Sequence, residues 1–213
     1  MESLEGGCVI VANGRFPSAE LPLRLLKEAK TIIACDGAVK TLYEKGIHPD
    51  AIVGDSIPAG LRERYADRIH HVEDQEINDL TKSVRFAHTQ GYREVLILGA
   101  TGLREDHTLG NISLLMDYAH LFKRVEMLSD YGLFTPILET TTFASYPGQQ
   151  ISIFVLYPEG EISTEGLRWP IRRRKLTSWW QGTLNEALGD QFTVTLSPDC
   201  RVIIYREASH TKE

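Results

Sequence analysis

The chain is poor in cysteine. Three residues, Cys8, Cys35 and Cys200, are all that 213 positions hold. An odd, scattered trio rules out a disulfide framework, and no Cys/His spacing matches a zinc site. Cys8 and Cys35 fall inside apolar runs, where buried free thiols are the expectation. Long apolar stretches are missing too. No run nears the roughly 20 residues that a membrane helix needs. The N-terminal Met-Glu-Ser-Leu-Glu-Gly-Gly segment has no signal-type apolar core, so a reducing cytoplasm is expected. Excess positive charge is absent, the formal net charge being −6. That argues against a general nucleic-acid binder, which needs surplus Lys and Arg, but not against a local nucleotide site. Internal repeats and low-complexity linkers are also lacking. Among motifs there is no Walker A loop, no Gly-x-Gly-x-x-Gly and no Gly-x-Ser-x-Gly elbow, which removes hydrolase chemistry of that type.

What is present changes character half-way. Short apolar runs at 8–12, 32–35, 51–53, 69–72, 95–98 and 125–128 read as strands. Helical patterns at 18–29, 39–45, 61–65, 78–90 and 108–122 alternate with them. Ser18 and Asn78 are candidate N-caps, and Gly46 and Gly91 are natural stops. Continuously apolar strands between helices predict an α/β fold, a mostly parallel sheet with helices on both faces. From about residue 131 the helices nearly stop. Runs at 141–145, 150–157, 192–196 and 202–205 read as strands, and Ser197-Pro-Asp-Cys200 as the turn of a hairpin between the last two. This predicts residues 1–133 as a nucleotide- and metal-binding catalytic domain. Residues 134–213 are predicted as a smaller all-β sandwich.

Ligands of a parallel sheet bind at the carboxyl ends of its strands. Those ends are polar here: Asn13-Gly14, Asp36-Gly37, Gly54-Asp55-Ser56, then Asp74-Gln75 with Asn78 and Asp79 beyond. The fifth is the loop Gly99-Ala-Thr-Gly-Leu-Arg-Glu-Asp-His-Thr-Leu-Gly-Asn111. Clustered carboxylates suit Mg²⁺, which takes one or two protein carboxylates together with phosphates and water. Gly99 and Gly102 allow a backbone near a phosphate, the following helix offers free N–H groups, and Arg104 can fork onto phosphate oxygens. The residues by themselves thus indicate Mg²⁺ and a phosphorylated nucleotide at the sheet rim. Each cluster also has a plainer reading: Asp36-Gly37 is a good turn without any ligand. His70-His71 suits a strand edge better than a metal. Arg172-Arg-Arg-Lys175 suits a solvated loop. Trp179-Trp180, on strand geometry, would send one ring inward.

The loop resembles the Gly-Ala-Thr-Gly-Gly-Arg-x-Asp-His-x-x-Gly-Asn signature of thiamin pyrophosphokinases. Ala34-Cys-Asp-Gly-Ala38 is similar to that family's Ala-x-Asp-Gly-Gly-Ala. Asp74-Gln-Glu-Ile-Asn-Asp79 with Lys82 is similar to Asp-Gln-Asp-x-Thr-Asp-x-x-Lys. Gly166-Leu-Arg-Trp-Pro170 and Gly182-Thr-Leu-Asn-Glu186 resemble Gly-Leu-Lys-Trp-Pro and Ser-Thr-Ser-Asn-Glu. The ordered set spans nearly the whole chain. The resemblance implies Mg²⁺-dependent transfer of pyrophosphate from ATP to the hydroxyl of thiamin, in a homodimer. It also implies that thiamin lies between the α/β domain of one chain and the β domain of the other. It implies metal at Asp55 and Asp79, with Asp74 as a further ligand, and catalytic roles for Asp55, Asp79 and Arg104; Asp55, by its proximity, is also the expected acceptor of the hydroxyl proton. It assigns ATP to Arg104, Asp106, Asn13, His107, Asn111 and Lys82, and thiamin to Asp36, Gln75, Trp169, Thr183 and Asn185. The family's Gly-Asp-x-Asp-Ser is shortened here to Gly54-Asp55-Ser56. One metal carboxylate is therefore missing: either Asp74 compensates or the metal site is weaker. Leu103 replaces a glycine, and Leu184 a polar residue. The alternatives are a thiamin- or nucleotide-binding homologue with impaired catalysis, or a Mg²⁺-dependent phosphoryl transferase with another acceptor.

Overall fold

A computed structural model describes residues 6–198 and 200–208. The acidic N-terminal segment before Gly6, and Asp199 in the expected turn, lie outside the described residues. The chain divides after Asp130 into two compact units.

The first unit holds β1 (Gly7–Val11), α1 (Glu20–Glu28), β2 (Ile32–Cys35), α2 (Ala38–Glu44), β3 (Ala51–Gly54) and α3 (Ala59–Arg62). It continues with β4 (Ile69–His71), α4 (Asp79–Thr89), β5 (Glu94–Leu98), α5 (Glu105–Tyr118) and β6 (Arg124–Leu128). The strands pair in parallel in the order β6-β5-β1-β2-β3-β4. Every residue of β2, β3 and β5 is buried. Side chains of a strand alternate between faces, so burial of both sets means that both faces of the sheet are covered. The chain builds outward from β1 through β4, then returns to place β5 on the other side of β1. The strand order therefore reverses between β1 and β5, where an open α/β sheet leaves its ligand crevice.

Two helix starts differ from expectation. Ser18 does not cap α1, whose N-cap is Ala19 without a side-chain bond. Asp130, at the far end of the unit's sequence, does that work. Its Oδ1 accepts from Ser18 N at 2.8 Å and Ala19 N at 3.0 Å, and its Oδ2 accepts from the Ser18 hydroxyl. A carboxylate at a helix N-terminus satisfies orphan donors and meets the positive dipole end. Burial acts to raise the Asp130 pKa, but these hydrogen bonds outweigh it and lower it. Asp130→Ala is expected to cost about 1–2 kcal/mol, a fall in Tm of roughly 2–8 °C. Because the folded pKa is the lower one, the contribution is complete above the ordinary carboxylate range. It is lost as pH falls through the folded value, so wild type and variant should converge in acid unfolding curves. The other difference is α5, which begins at Glu105 rather than at residue 108. Arg104 is its N-cap, and Glu105 and Asp106 supply negative charge to its first turn.

The second unit holds β7 (Gly132–Ile137), β8 (Thr141–Ala144), β9 (Gln150–Tyr157), β10 (Ile162–Glu165), β11 (Asn185–Glu186), β12 (Gln191–Leu196) and β13 (Arg201–Glu207). One antiparallel set runs β7-β13-β9-β11 and a second runs β10-β12-β8. Ile153, Val155, Val202 and Ile204 of the first set share a core with Phe143, Ile162, Phe192 and Val194 of the second. That is a β sandwich. The expected hairpin of the last two strands does not form. β12 pairs with β8 and β10, whereas β13 pairs with β7 and β9, so the turn at 197–200 carries the chain between sheets. Each strand has one strongly apolar face, and placing them in opposite layers buries both. Trp179-Trp180 is not strand either. Trp179–Gly182 is a 3₁₀ turn held by a capping box of Ser178 and Gln181.

Candidate active site

The loops at the reversal are locked together by backbone bonds. Ala12 N donates to Leu98 O at 2.8 Å, Gly14 N to Gly99 O at 2.6 Å and Arg15 N to Thr101 O at 2.9 Å. A Cβ on Gly14 would stand 2.4 Å from Gly99 O, so only glycine permits the approach. Beneath them opens a cavity of about 500 Å³. Asn13, Asp36, Asp55, Gln75, Asp79, Lys82, Arg104, His107 and Asn111 all line it. Five strand-end clusters, distant in sequence, are thereby brought to one place.

Lys82 organises the charge. Its side chain is 3% exposed, and its ammonium lies 3.1 Å from Asp79 Oδ1 and 3.5 Å from Asp55 Oδ2. Burial acts to lower its pKa, but the two carboxylates more than offset this and raise it, so it stays charged. Asp55 also accepts from Gln75 Nε2 at 2.7 Å and from the Ser56 hydroxyl at 3.0 Å, and these bonds hold its carboxyl below the usual range. Asp36 goes the other way. Burial first, then the charges of Asp79 and Asp55, raise its pKa. Its backbone sits at φ +23°, a region that non-glycine residues seldom adopt. The Ser56 N–H bonds its Oδ1 at 3.1 Å. Gly54 makes room for it, since a Cβ there would lie 2.7 Å from the Asp36 Cβ. Three carboxylates thus share one lysine, leaving surplus negative charge on this wall.

Asn111 ties the opposite wall. It donates to Ala100 O at 2.8 Å and accepts from Asn78 at 3.3 Å, while Asn78 caps α4 through Thr81 N at 2.8 Å. Arg104 is exposed and forked onto Asp106, with Nε at 3.1 Å from Oδ1 and a second bond from Nη2. The pair drives the Asp106 carboxyl down to about 2. Asp106 itself does not line the cavity, nor does Asp74. Asp74 accepts from Glu76 N at 2.9 Å and lies 4.0 Å from Arg85. Its carboxylate thus lies outside the lining that Asp55 and Asp79 share. Ser56, Asn78, Thr101 and Thr108 line the cavity without having been singled out as site residues. Their positions within or beside the quoted motifs were the available signal. Cys35 lines it too, but burial pushes its thiol up to about 12, which removes it as a nucleophile.

Trp169, Thr183 and Asn185 lie in the second unit and line a smaller cavity of about 290 Å³ there. Asn185 fixes the Trp169 backbone from both sides, accepting from its N–H at 3.1 Å and donating to its carbonyl at 2.7 Å. The Arg168 guanidinium stands 5.4 Å from the Trp169 ring centre. Trp179 packs edge-on against Phe154 at 5.9 Å, Trp180 is exposed, and neither lines this cavity.

Fold and site define a two-unit protein, a switch-point α/β unit with a carboxylate-rich cavity followed by a β sandwich. The family model described as "Thiamin pyrophosphokinase, catalytic domain" matches residues 23–127, and "Thiamin pyrophosphokinase, substrate-binding domain" matches residues 132–205. The chain belongs to the thiamin pyrophosphokinase family. Thiamine pyrophosphokinase 1 of Oryza sativa subsp. japonica is 27% identical over 92% of this chain and 84% of that protein. The thiamin pyrophosphokinase structure of Geobacillus thermodenitrificans has TM-score 0.77 at 23% identity, covering 96% of this chain and 98% of that one. The Candida albicans thiamin pyrophosphokinase has TM-score 0.78 at 17% identity, covering 97% and 92%. These structural likenesses speak for the fold.

Proposed function

We propose that this enzyme transfers pyrophosphate from ATP to the hydroxyl of thiamin, releasing AMP. The observation that carries this reading is the wall of Asp36, Asp55 and Asp79 around buried Lys82, facing Arg104 across a switch-point cavity. The donor set fits Mg²⁺. Among the described residues no three acidic, His or Cys side chains close on an ion by themselves. Asp55 and Asp79 offer two carboxylates, and Mg²⁺ needs no more when phosphate oxygens and water complete its shell. Bound there, the ion would neutralise charge on the transferring group.

The chain's own residues do the rest. Arg104 keeps three of its five donors beyond the two spent on Asp106, and these suit phosphate oxygens. Asp106 acts through Arg104 by aiming it. Asn13, His107 and Asn111 are our candidates for the remaining ATP contacts. Lys82 holds Asp55 and Asp79 in place. For the hydroxyl proton we favour Asp36 over the expected Asp55: both line the cavity, but the Asp36 carboxyl is raised and the Asp55 carboxyl lowered, which makes Asp36 the stronger base. Asp36 and Gln75 in one cavity, and Trp169, Thr183 and Asn185 in the other, are the candidates for thiamin, whose cationic ring suits an aromatic face. We also propose a homodimer. Leu103 and Leu109 in the first unit, and Trp169, Trp180 and Leu184 in the second, are large apolar side chains left more than half exposed. Three buried, unpaired thiols favour a reducing cytoplasm. Among the described residues no helix is long and apolar enough to cross a membrane.

The test is a product assay. ATP, thiamin and Mg²⁺ together should yield equal amounts of AMP and thiamin diphosphate, and EDTA should stop both. No AMP release at saturating substrates would overturn the reading in favour of a binding homologue.

A further inference from the structure

The segment after Trp169 carries a charge pattern to which the pyrophosphate transfer described above assigns no role. Its backbone is pinned to β10. Ile171 N donates to the Thr164 hydroxyl at 2.9 Å, and Thr164 N donates to Ile171 O at 2.9 Å. Arg174 and Ile162 exchange both backbone bonds at 3.0 and 3.1 Å. Between them Arg173 sits at φ +44°, its N–H on the Ser163 hydroxyl at 2.9 Å and its guanidinium on Glu161 at 3.2 Å. Arg172 and Arg174, on either side, both line the second cavity with Trp169, Gln181, Thr183 and Asn185. Among the described residues neither makes an ion pair. The nearby acids are engaged, Glu161 by Arg173 and Glu186 by Arg168.

Two exposed guanidinium groups without an acidic partner, on a pinned backbone, leave local positive charge in a chain of net charge −6. They are a poor match for thiamin, whose ring is cationic. They match a phosphate chain, which takes guanidinium forks. We propose that Arg172 and Arg174 form an anion subsite in the second unit that binds a di- or triphosphate chain, so that this unit holds the diphosphate product more tightly than thiamin. The inference rests on reading this cavity as a thiamin site.

The test is calorimetry on the full-length chain in EDTA, comparing wild type with the Arg172→Ala/Arg174→Ala double variant. Ligands are thiamin, thiamin diphosphate, ATP and inorganic pyrophosphate. The double variant should bind thiamin diphosphate about tenfold more weakly and leave thiamin unchanged. The wild-type advantage of the product over thiamin should also shrink as salt rises. A loss confined to thiamin diphosphate identifies the product as the source of the chain, and an equal loss for ATP identifies the nucleotide. Unchanged binding of all three phosphate ligands overturns the subsite, as does an equal loss for thiamin. Wild type that binds pyrophosphate through these arginines but not thiamin would overturn the thiamin reading of the cavity and leave the anion subsite standing.

Discussion

Asp55→Asn should lower kcat/KM by about two to four orders of magnitude at limiting Mg²⁺. The expectation follows from what this carboxylate lacks around it. The family segment Gly-Asp-x-Asp-Ser is shortened to Gly54-Asp55-Ser56, and Asp74 does not line the cavity. Asp36 is the remaining carboxylate of this wall, and its raised pKa makes it the weaker metal ligand, so neutralising Asp55 removes one of the two carboxylates best suited to the ion. A metal contributes several kcal/mol of charge stabilisation to such a transfer, and each 1.36 kcal/mol is tenfold in rate. Asparagine keeps the shape and the bond from Gln75, so the fold should be retained. Raising Mg²⁺ should recover part of the activity, because the defect lies in affinity for the ion. The comparison is a Mg²⁺ titration of kcat/KM for wild type and variant. Superimposable curves would remove Asp55 from the metal site. Asp79→Asn should behave alike, since Lys82 bridges both carboxylates.

The reach of the sequence shows in which residues it brought together. Strand and helix periodicity is local, so the α/β unit and its polar rim were readable: Asn13, Asp36, Asp55, Gln75, Asp79 and Arg104 do converge. What periodicity does not carry is the partner of a side chain. Lys82 lies three residues after Asp79, which marks a neighbour on one helix face, but its burial against Asp55 depends on β3 packing beside α4. Ser18 had the residue type of a cap, yet the bonds come from Asp130, 112 positions away. The strands on either side of the 197–200 turn alternate correctly, and nothing local says that they join different sheets. The pair Trp179-Trp180 was read on strand geometry because neighbouring runs were strands. The capping box of Ser178 and Gln181, visible in the letters, makes it a 3₁₀ turn instead.

Arg104→Ala carries the second large expected effect, a fall in kcat/KM of about 10²- to 10³-fold. Arg104 ends the loop that reads Gly99-Ala-Thr-Gly-Leu and begins α5 as its N-cap. Its guanidinium is the cation at this wall of the cavity, and it stands at the N-terminus of α5, the positive end of the helix dipole. With 72% of its side chain exposed, it contributes little to folding, so the loss should appear in transfer and not in Tm. Lysine at 104 should recover little, because an ammonium cannot hold Asp106 and a phosphate in one plane. Asp106→Ala separates holding from aiming. If Asp106 only orients the guanidinium, its removal should lower kcat by a smaller factor than Arg104→Ala, and the double variant should be no worse than Arg104→Ala alone. Additive losses would instead give Asp106 a contact of its own with the nucleotide. An Arg104→Ala enzyme with unchanged kcat/KM would remove the Arg104 guanidinium from the phosphate site. The family relationship would then stand, with the phosphate contacts carried by the helix terminus and Asn13 instead.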